Sequence, residues 1–378
     1  MPWVAMIRTA SLDDLPGLLD LEQRCFNTDR LSRRSFRHLL QRGHAAILVD
    51  DREGALAGYV LVLFRRGVSM ARLYSIATHP AYRGQGVAAD LVRAAEAVAL
   101  EEGAAEMRLE VRQDNAASKK LFQALGYRPF GVHAAYYEDA MDAVRYHRYL
   151  APRLAPELAR VPFYRQTLDF TCGPASLMMA MKALRPSMRL DRRLELRLWR
   201  ESTTVFMTSG HGGCGPHGLA LAAHHRGFGV RLFLRQPGPM FLDSVRNAEK
   251  KEVLRLVQED FIDEIRTEGL PVTSGAASVV DLEQVIRDGG IPVVLISSYR
   301  IYRERAPHWV VVTGVDRHFV YITDPFVDLT DGRTPTDCVN MPITRDAFDR
   351  MARYGRSGQQ AAVMVYGGRP DNRSAAHD

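Results

Sequence analysis

The run LYSIATHPAYRGQGVAADLVRAAEAVALEEGA, residues 73–104, admits few folds. Leu73 to Thr78 reads as a strand, Pro80 breaks it, and Arg83 to Ala88 open a helix whose apolar face carries Val87, Leu91, Ala95 and Val98 at helical spacing. Gly84 and Gly86 let bare backbone N–H groups approach a ligand, and a helix start adds partial positive charge, which together make a cradle for a pyrophosphate. Such turns also form with no ligand, so the turn alone does not decide. It does call for an α/β domain, in which strand and helix alternate.

The following segments repeat that alternation. EMRLEVR sets Met107, Leu109 and Val111 against Arg108, Glu110 and Arg112, the pattern of a half-buried strand. DNAASKKLFQALGY then predicts a helix capped by Asn115 and closed by Gly126. Over the first 150 residues, from IRTASLDDLPGLLDLE through HPAYRGQGVA to LEVRQDNAASKKLFQALGY, the chain resembles the GCN5-related N-acetyltransferases (GNAT), and within them the ribosomal-protein-alanine N-acetyltransferases. The resemblance implies a mixed sheet with flanking helices and acetyl-CoA as co-substrate. Its pyrophosphate would lie on the amides of Arg83, Gly84, Gln85, Gly86, Val87 and Ala88, with the pantetheine arm along the strand edge at Ile76, Ala77 and Thr78. Glu110 matches the position of a base for the acceptor amine, and Asn115 matches a common asparagine that an ordinary helix cap explains equally well. One departure is Phe122, where relatives commonly carry a tyrosine that protonates the leaving thiolate. A phenyl ring has no proton to donate, which leaves Tyr136, Tyr137 or water for that step, or a domain that only binds.

At 378 residues the chain is long enough for two domains, and 46% apolar residues can supply two cores. APRLAPELARVP (151–162) brings three prolines in twelve residues and marks the boundary. The expected division is an acetyltransferase domain over 1–150, a linker over 151–160, a second domain over 161–368 and a disordered polar tail over 369–378. No run of about eighteen apolar residues and no basic-then-apolar leader occurs, so a cytoplasmic protein without a membrane span is expected. The net charge of +6 comes from basic residues, nearly all arginine, spread among 44 acidic ones. Without a basic stripe and interleaved aromatics this does not point to nucleic acid.

In the second half, CGPASLMMAMKAL predicts a helix with a buried stripe of Leu177, Met181 and Leu184 and with Pro174 in its first position. Cys172 would then sit at the positive end of a buried helix, which favours a thiolate. Gln166, six residues earlier, can offer an amide hydrogen to an oxyanion. HWVVVTGVDRHFVYITDPF reads as two apolar strands around a turn near Arg317. That register puts His308 opposite Phe326 with Asp324 diagonal to it on one face, close enough to fix the imidazole tautomer. The ordered set Gln166, Cys172, His308 and Asp324 resembles the papain-like cysteine peptidases of family thirty-nine, which include the double-glycine bacteriocin-leader peptidases, over residues 161–367. The resemblance implies an α+β fold, with Gln166 in an oxyanion hole, Cys172 as nucleophile, His308 as base then acid, and Asp324 as its orienter.

A second Cys-Gly-Pro occurs at Cys214, without a glutamine at the same distance before it. His211, His217, His224 and His225 surround it, but their spacing matches no known zinc site, so no metal is expected and a helix cap or a cleft wall is preferred. Four scattered cysteines, Cys25 and Cys338 included, suggest free thiols. The expectation is thus a bifunctional enzyme that acetylates a peptide or protein amine and cleaves a peptide. The alternatives are a sensor that binds acetyl-CoA and peptide, or an amide acyl transferase of the phytochelatin-synthase kind in the second domain. The sequence leaves the oligomeric state open.

Overall fold

A computed structural model describes residues 6–52, 55–150, 158–204, 212–329 and 333–368. The chain divides into two compact units, Met1–Ala155 and Pro156–Asp378. Most of the proline-rich junction, His211 and the polar tail lie outside the described residues.

The first unit runs β1 (Met6–Thr9), α1 (Leu15–Cys25), α2 (Arg33–Gln41), β2 (Ala45–Arg52), β3 (Ala55–Phe64), β4 (Met70–Thr78), α3 (Val87–Glu101), β5 (Glu106–Arg112), α4 (Ala116–Ala124), β6 (Arg128–His133) and β7 (Ala143–Tyr149). Its seven strands form one mixed sheet in the order β1-β2-β3-β4-β5-β7-β6, with the β4–β5 pair parallel. Strand alternation gives the sheet two apolar faces. Val60 and Val62 of β3 join a core with Val87, Leu91 and Ala95 of α3. Tyr59 and Leu61, pointing the other way, join Leu18 and Leu21 of α1 and Phe36 of α2. Removing one such leucine or valine from water is worth about 1.5–3 kcal/mol, so helices are held on both faces.

This three-layer build corrects the reading of β5 as half-buried. Arg108 and Glu106 are buried and joined at 2.7 Å, with His147 Nδ1 2.9 Å from the other Glu106 oxygen. A strand between β4 and β7, covered on both faces, must pair its charges internally because water does not reach them.

The second unit contains α5 (Cys172–Leu184), α6 (Arg192–Ser202), α7 (Pro216–His224), β8 (Gly229–Leu234), α8 (Ala248–Thr267), β9 (Val272–Ser274), α9 (Val279–Arg287), β10 (Ile291–Ser297), α10 (Tyr299–Tyr302), β11 (Pro307–Val315), β12 (Phe319–Thr323), β13 (Met341–Thr344), α11 (Arg345–Met351) and β14 (Ala361–Tyr366). The sheet order is β13-β12-β11-β10-β14-β8-β9, antiparallel except for the short β8–β9 pair. Val293 and Leu295 of β10, Trp309 and Val311 of β11, and the first ten residues of α5 are buried on one face. The β11–β12 register pairs Val311 with Thr323 and slips by one residue between Val312 and Gly314. Continued toward Asp324, it puts His308 opposite Phe326, the register counted from a turn at Arg317.

The two Cys-Gly-Pro motifs fold differently. Cys172 is the first residue of α5 with Thr171 as N-cap, so Pro174 stands at the third position and not the first. A proline is accepted there because the first four helical N–H groups have no intrahelical acceptor. In the second motif Pro216 is the first helical residue, Gly215 is the cap, and Cys214 lies before the helix in an isolated bridge to Thr203.

Candidate active sites

The glycine turn of the first unit is an open backbone cradle. Gly84 and Gly86 have φ of +76° and +84°, left-handed values that residues with a Cβ adopt only under strain. A Cβ added at Gly84 would meet nothing within 4 Å, so the backbone faces open space. The first helical bond of α3 runs from Asp90 N–H to Gly86 O, and the N–H groups that precede it in the helix have no intrahelical acceptor. Arg83 N–H turns back onto Pro80 O at 3.4 Å. Gln85 braces the loop: its amide donates to Ala81 O at 3.1 Å and its oxygen accepts from Arg52 at 3.2 Å. A pyrophosphate fits such a site on charge and shape alike.

Next to it, β4 pairs with β5 only from Met70 to Arg72. Ile76, Ala77 and Thr78 pair with Val60, Tyr59 and Gly58 of β3 and have no ladder on the β5 side. A cleft of about 660 Å³ is lined by residues of both diverging strands, among them Ile76 and Glu110, and by Asn115, Phe122, Tyr136 and Tyr137. Asn115 caps α4 by accepting Ser118 N–H at 3.0 Å.

Glu110 is no solvated strand carboxylate. One oxygen, Oε2, lies 2.9 Å from the Arg72 guanidinium, and both side chains are at least 95% buried. The other, Oε1, is buried with no hydrogen-bond partner. Arg72 also donates to the Tyr136 hydroxyl at 2.6 Å. The sequence reading missed Arg72, although an arginine inside the apolar run MARLYSIA was itself a signal that a carboxylate must meet it. Phe122 is 2% exposed and packs edge-on against Tyr127 at 5.4 Å. The Tyr136 and Tyr137 rings stand perpendicular at 4.9 Å, and burial pushes the Tyr137 hydroxyl up from the ordinary phenol range.

In the second unit, His308 and Asp324 meet as an ion pair, Nε2 to Oδ1 at 2.7 Å, with His308 7% and Asp324 0% exposed. Asp324 has two further donors: Phe326 N–H to Oδ1 at 2.8 Å and the Tyr302 hydroxyl to Oδ2 at 2.7 Å. With Nε2 committed to Asp324, Nδ1 is the ring nitrogen left over, and the charge of Cys172 acts on the same imidazole. Burial works against the imidazolium, but the charges of Asp324 and Cys172 outweigh it and push His308 up to about 10. Tyr302 was not foreseen, because nothing in SSYRIYRER distinguishes it from a surface tyrosine.

Packing sets Cys172 against this pair. A Cβ added at Gly173 would lie 3.2 Å from Leu219 and from Trp309 and 3.3 Å from the Cys214 Cβ, so glycine lets the first turn of α5 nest on β11. Trp309, next to His308, donates its indole N–H to Cys214 O at 3.0 Å, and its own carbonyl accepts from Ser176 at 2.9 Å. Gln166 N–H bonds Pro325 O at 2.9 Å, beside Asp324. The Gln166 side-chain nitrogen donates one hydrogen to Leu168 O at 2.9 Å, while Oε1 is buried without a partner. The reverse orientation would set two oxygens face to face, so the amide keeps one N–H to offer elsewhere.

Cys214 is 4% exposed, and burial followed by the Cys172 charge pushes its thiol well above the usual range. The histidines around it disperse. His217 is buried and pushed down to about 4 by burial, whereas His224 approaches Glu268, the C-cap of α8, and His225 approaches Glu264 within it. Among the described residues no group of three or more His, Cys, Asp and Glu side chains could hold a metal ion. Cys25 donates its thiol to Thr78 O at 3.3 Å, and Cys338 is buried.

Folds and sites of this kind define a chain of two enzyme-like units, one with an open glycine turn beside a cleft, the other with a thiol near an imidazole–carboxylate pair. The chain belongs to the Peptidase_C39 like family, whose model matches residues 161–366, and its first unit belongs to the acetyltransferase (GNAT) family, matched over residues 15–127. It is similar to the putative ribosomal protein bS18-alanine N-acetyltransferase of Bacillus subtilis, 33% identical over 136 residues that make up 36% of this chain and 88% of that protein. It is also similar to the catalytic subunit of the N-terminal acetyltransferase A complex of Arabidopsis thaliana, 30% identical over 36% of this chain and 73% of that one. Among solved structures, the ribosomal-protein-S18-alanine N-acetyltransferase from Escherichia coli is 24% identical with a TM-score of 0.36, covering 40% of this chain and 99% of that one. No helix among the described residues is long and apolar enough to cross a membrane.

Proposed function

We propose that the protein is a bifunctional enzyme. Residues 1–150 would acetylate a peptide or protein amine from acetyl-CoA, and residues 161–368, beyond a 151–160 linker, would cleave a peptide by Cys-His-Asp chemistry. The observation that carries the second half is the His308–Asp324 pair at 2.7 Å beside Cys172 at the start of α5. In this reading Cys172 Sγ attacks the scissile carbonyl carbon while His308 holds the thiol proton. His308 then delivers that proton to the leaving amine as the C–N bond breaks, and water releases the acyl group from sulfur. The remaining Gln166 amide hydrogen and the N–H groups of the first turn of α5 face the oxyanion.

For the first half, bound acetyl-CoA supplies an activated acetyl thioester. The Gly84–Ala88 backbone holds its phosphates, the open β4 edge at Ile76–Thr78 lines its arm, and Glu110 Oε1 takes the acceptor proton directly or through water. The acceptor class follows the relatives, whose names specify a ribosomal-protein alanine and protein N-termini. A peptide cut exposes an α-amine of the kind this cleft would take, which gives the two units a shared substrate. A cytoplasmic location accompanies this reading, supported by four cysteines that all remain free thiols.

Glu110→Gln is expected to lower acetyl transfer about 100-fold near pH 7. The deficit should shrink as pH rises past the acceptor amine's own pKa, because a neutral amine no longer needs a base. A constant deficit at every pH would remove the base role. Gly84→Ala should raise the KM for acetyl-CoA about tenfold with kcat little changed, since the added methyl blocks the phosphate approach and strains φ; a kcat effect alone would speak against the cradle. For the coupling, candidate peptides incubated with acetyl-CoA are followed by mass spectrometry. Acetylation that Cys172→Ala leaves untouched would sink it.

A further inference from the structure

Glu195 of α6 reads in the sequence as one more charge on an amphipathic surface helix, RRLELRLWRES, yet it is 0% exposed. Its carboxylate accepts four hydrogen bonds, two on each oxygen. Oε1 takes Thr167 N–H at 2.8 Å and the Thr171 hydroxyl at 2.5 Å; Oε2 takes the Thr167 hydroxyl at 2.7 Å and the Tyr164 hydroxyl at 2.9 Å. All three partners lie in the eight residues Tyr164–Thr171 that lead into Cys172, and Gln166 sits among them. Thr171 is both the N-cap of α5 and the residue before the nucleophile.

The geometry also links Glu195 to the Gln166 amide. The Thr171 hydroxyl has one hydrogen and two acceptors in reach, Glu195 Oε1 at 2.5 Å and Leu168 O at 2.8 Å. A charged, closer acceptor takes it. Leu168 O, which also accepts the Thr171 backbone N–H at 3.2 Å, then keeps its other lone pair for the Gln166 side-chain N–H at 2.9 Å, the contact that orients that amide. Without the carboxylate charge the Thr171 hydrogen turns to Leu168 O and competes with Gln166.

We propose that Glu195 is a positioning residue of the thiol site, which clamps the Tyr164–Thr171 loop so that the Gln166 amide and the start of α5 are aligned for an oxyanion. The proposal rests on reading residues 161–368 as a Cys172 acyl-transfer site. It separates two kinds of thiol chemistry. With p-nitrophenyl acetate, Cys172 sulfur bonds to the carbonyl carbon through an oxyanion, and the C–O bond to p-nitrophenolate breaks. With iodoacetamide, sulfur displaces iodide at carbon and no oxyanion forms.

The test measures both rates in the full chain for wild type, Cys172→Ala and Glu195→Gln. Glu195→Gln should slow Cys172-dependent acylation about tenfold or more, as expected when an oxyanion donor shifts by a fraction of an ångström, while alkylation of Cys172 stays within about twofold because His308 and Asp324 are untouched. Thr171→Val, of similar volume, should reproduce the split, and it carries the test alone if Glu195→Gln does not fold. A Cys172-dependent acylation that these variants leave unchanged, or lower in the same proportion as alkylation, overturns the proposal. A wild-type acylation rate no higher than that of Cys172→Ala overturns the thiol-site reading itself, and this proposal with it.

Discussion

Replacing Cys172 by alanine is expected to lower thiol-dependent peptide cleavage at least about 10⁴-fold, while Cys214→Ala leaves turnover in place and costs stability of only about 1 kcal/mol. The two cysteines share a tripeptide and a neighbourhood, so the contrast isolates what the surroundings do. Cys172 begins α5 near enough to His308 for its charge to raise the imidazole, whereas Cys214 is buried before α7 with its thiol pushed well above the usual range. A buried thiol that keeps its proton is a poor nucleophile. An unbiased peptide-library digest with both variants reads this directly, and a thiol probe near neutral pH should label Cys172 well before Cys214. Equal, slow labelling of both would leave the second unit as a binding cleft.

Asp324 carries the second large effect. Asp324→Ala leaves the His308, Phe326 and Tyr302 donors facing a buried gap, and loss of one partner of a buried pair costs about 3–5 kcal/mol. The pH dependence has a definite sign. His308 binds its proton more tightly folded than unfolded, so its contribution to stability is complete below pH 6.5 and is lost as pH rises through about 10. The stability gap between wild type and Asp324→Ala, measured by urea unfolding, should therefore narrow from pH 6 toward pH 10. In the milder Asp324→Asn the larger of the two charges that raise His308 is gone, that of Cys172 remains, and burial still lowers it. In the proposed mechanism the imidazolium protonates the leaving amine, so the alkaline limb of the pH–rate profile should move from near 10 to lower pH. An unmoved limb would deny His308 that role.

Much of the molecule was legible before any coordinates. Local chemistry announced the strand-turn-helix at Leu73–Ala88, the cap at Asn115 and the helix after Cys172, because capping, glycine turns and apolar periodicity act within a few residues. The contact of His308 with Asp324 followed from hairpin arithmetic, since strand register is itself nearly local. The proline position in α5 and the burial of β5 were misread for one reason: neither a helix's first residue nor the covering of a strand's second face is fixed by the segment's own pattern.

What the sequence alone determined is two local patterns: a glycine turn before a helix, and a histidine and aspartate spaced to meet across a hairpin. Tertiary structure decided which charges reach water. It pairs Glu110 with Arg72, closes Tyr302 over Asp324 and sinks Glu195 beneath the Gln166–Cys172 loop. These partners are separated by 38, 22 and 24 residues. A charged side chain looks alike in sequence whether exposed or buried, and burial, which makes an unpaired charge intolerable, is a property of the packed fold and of no single segment.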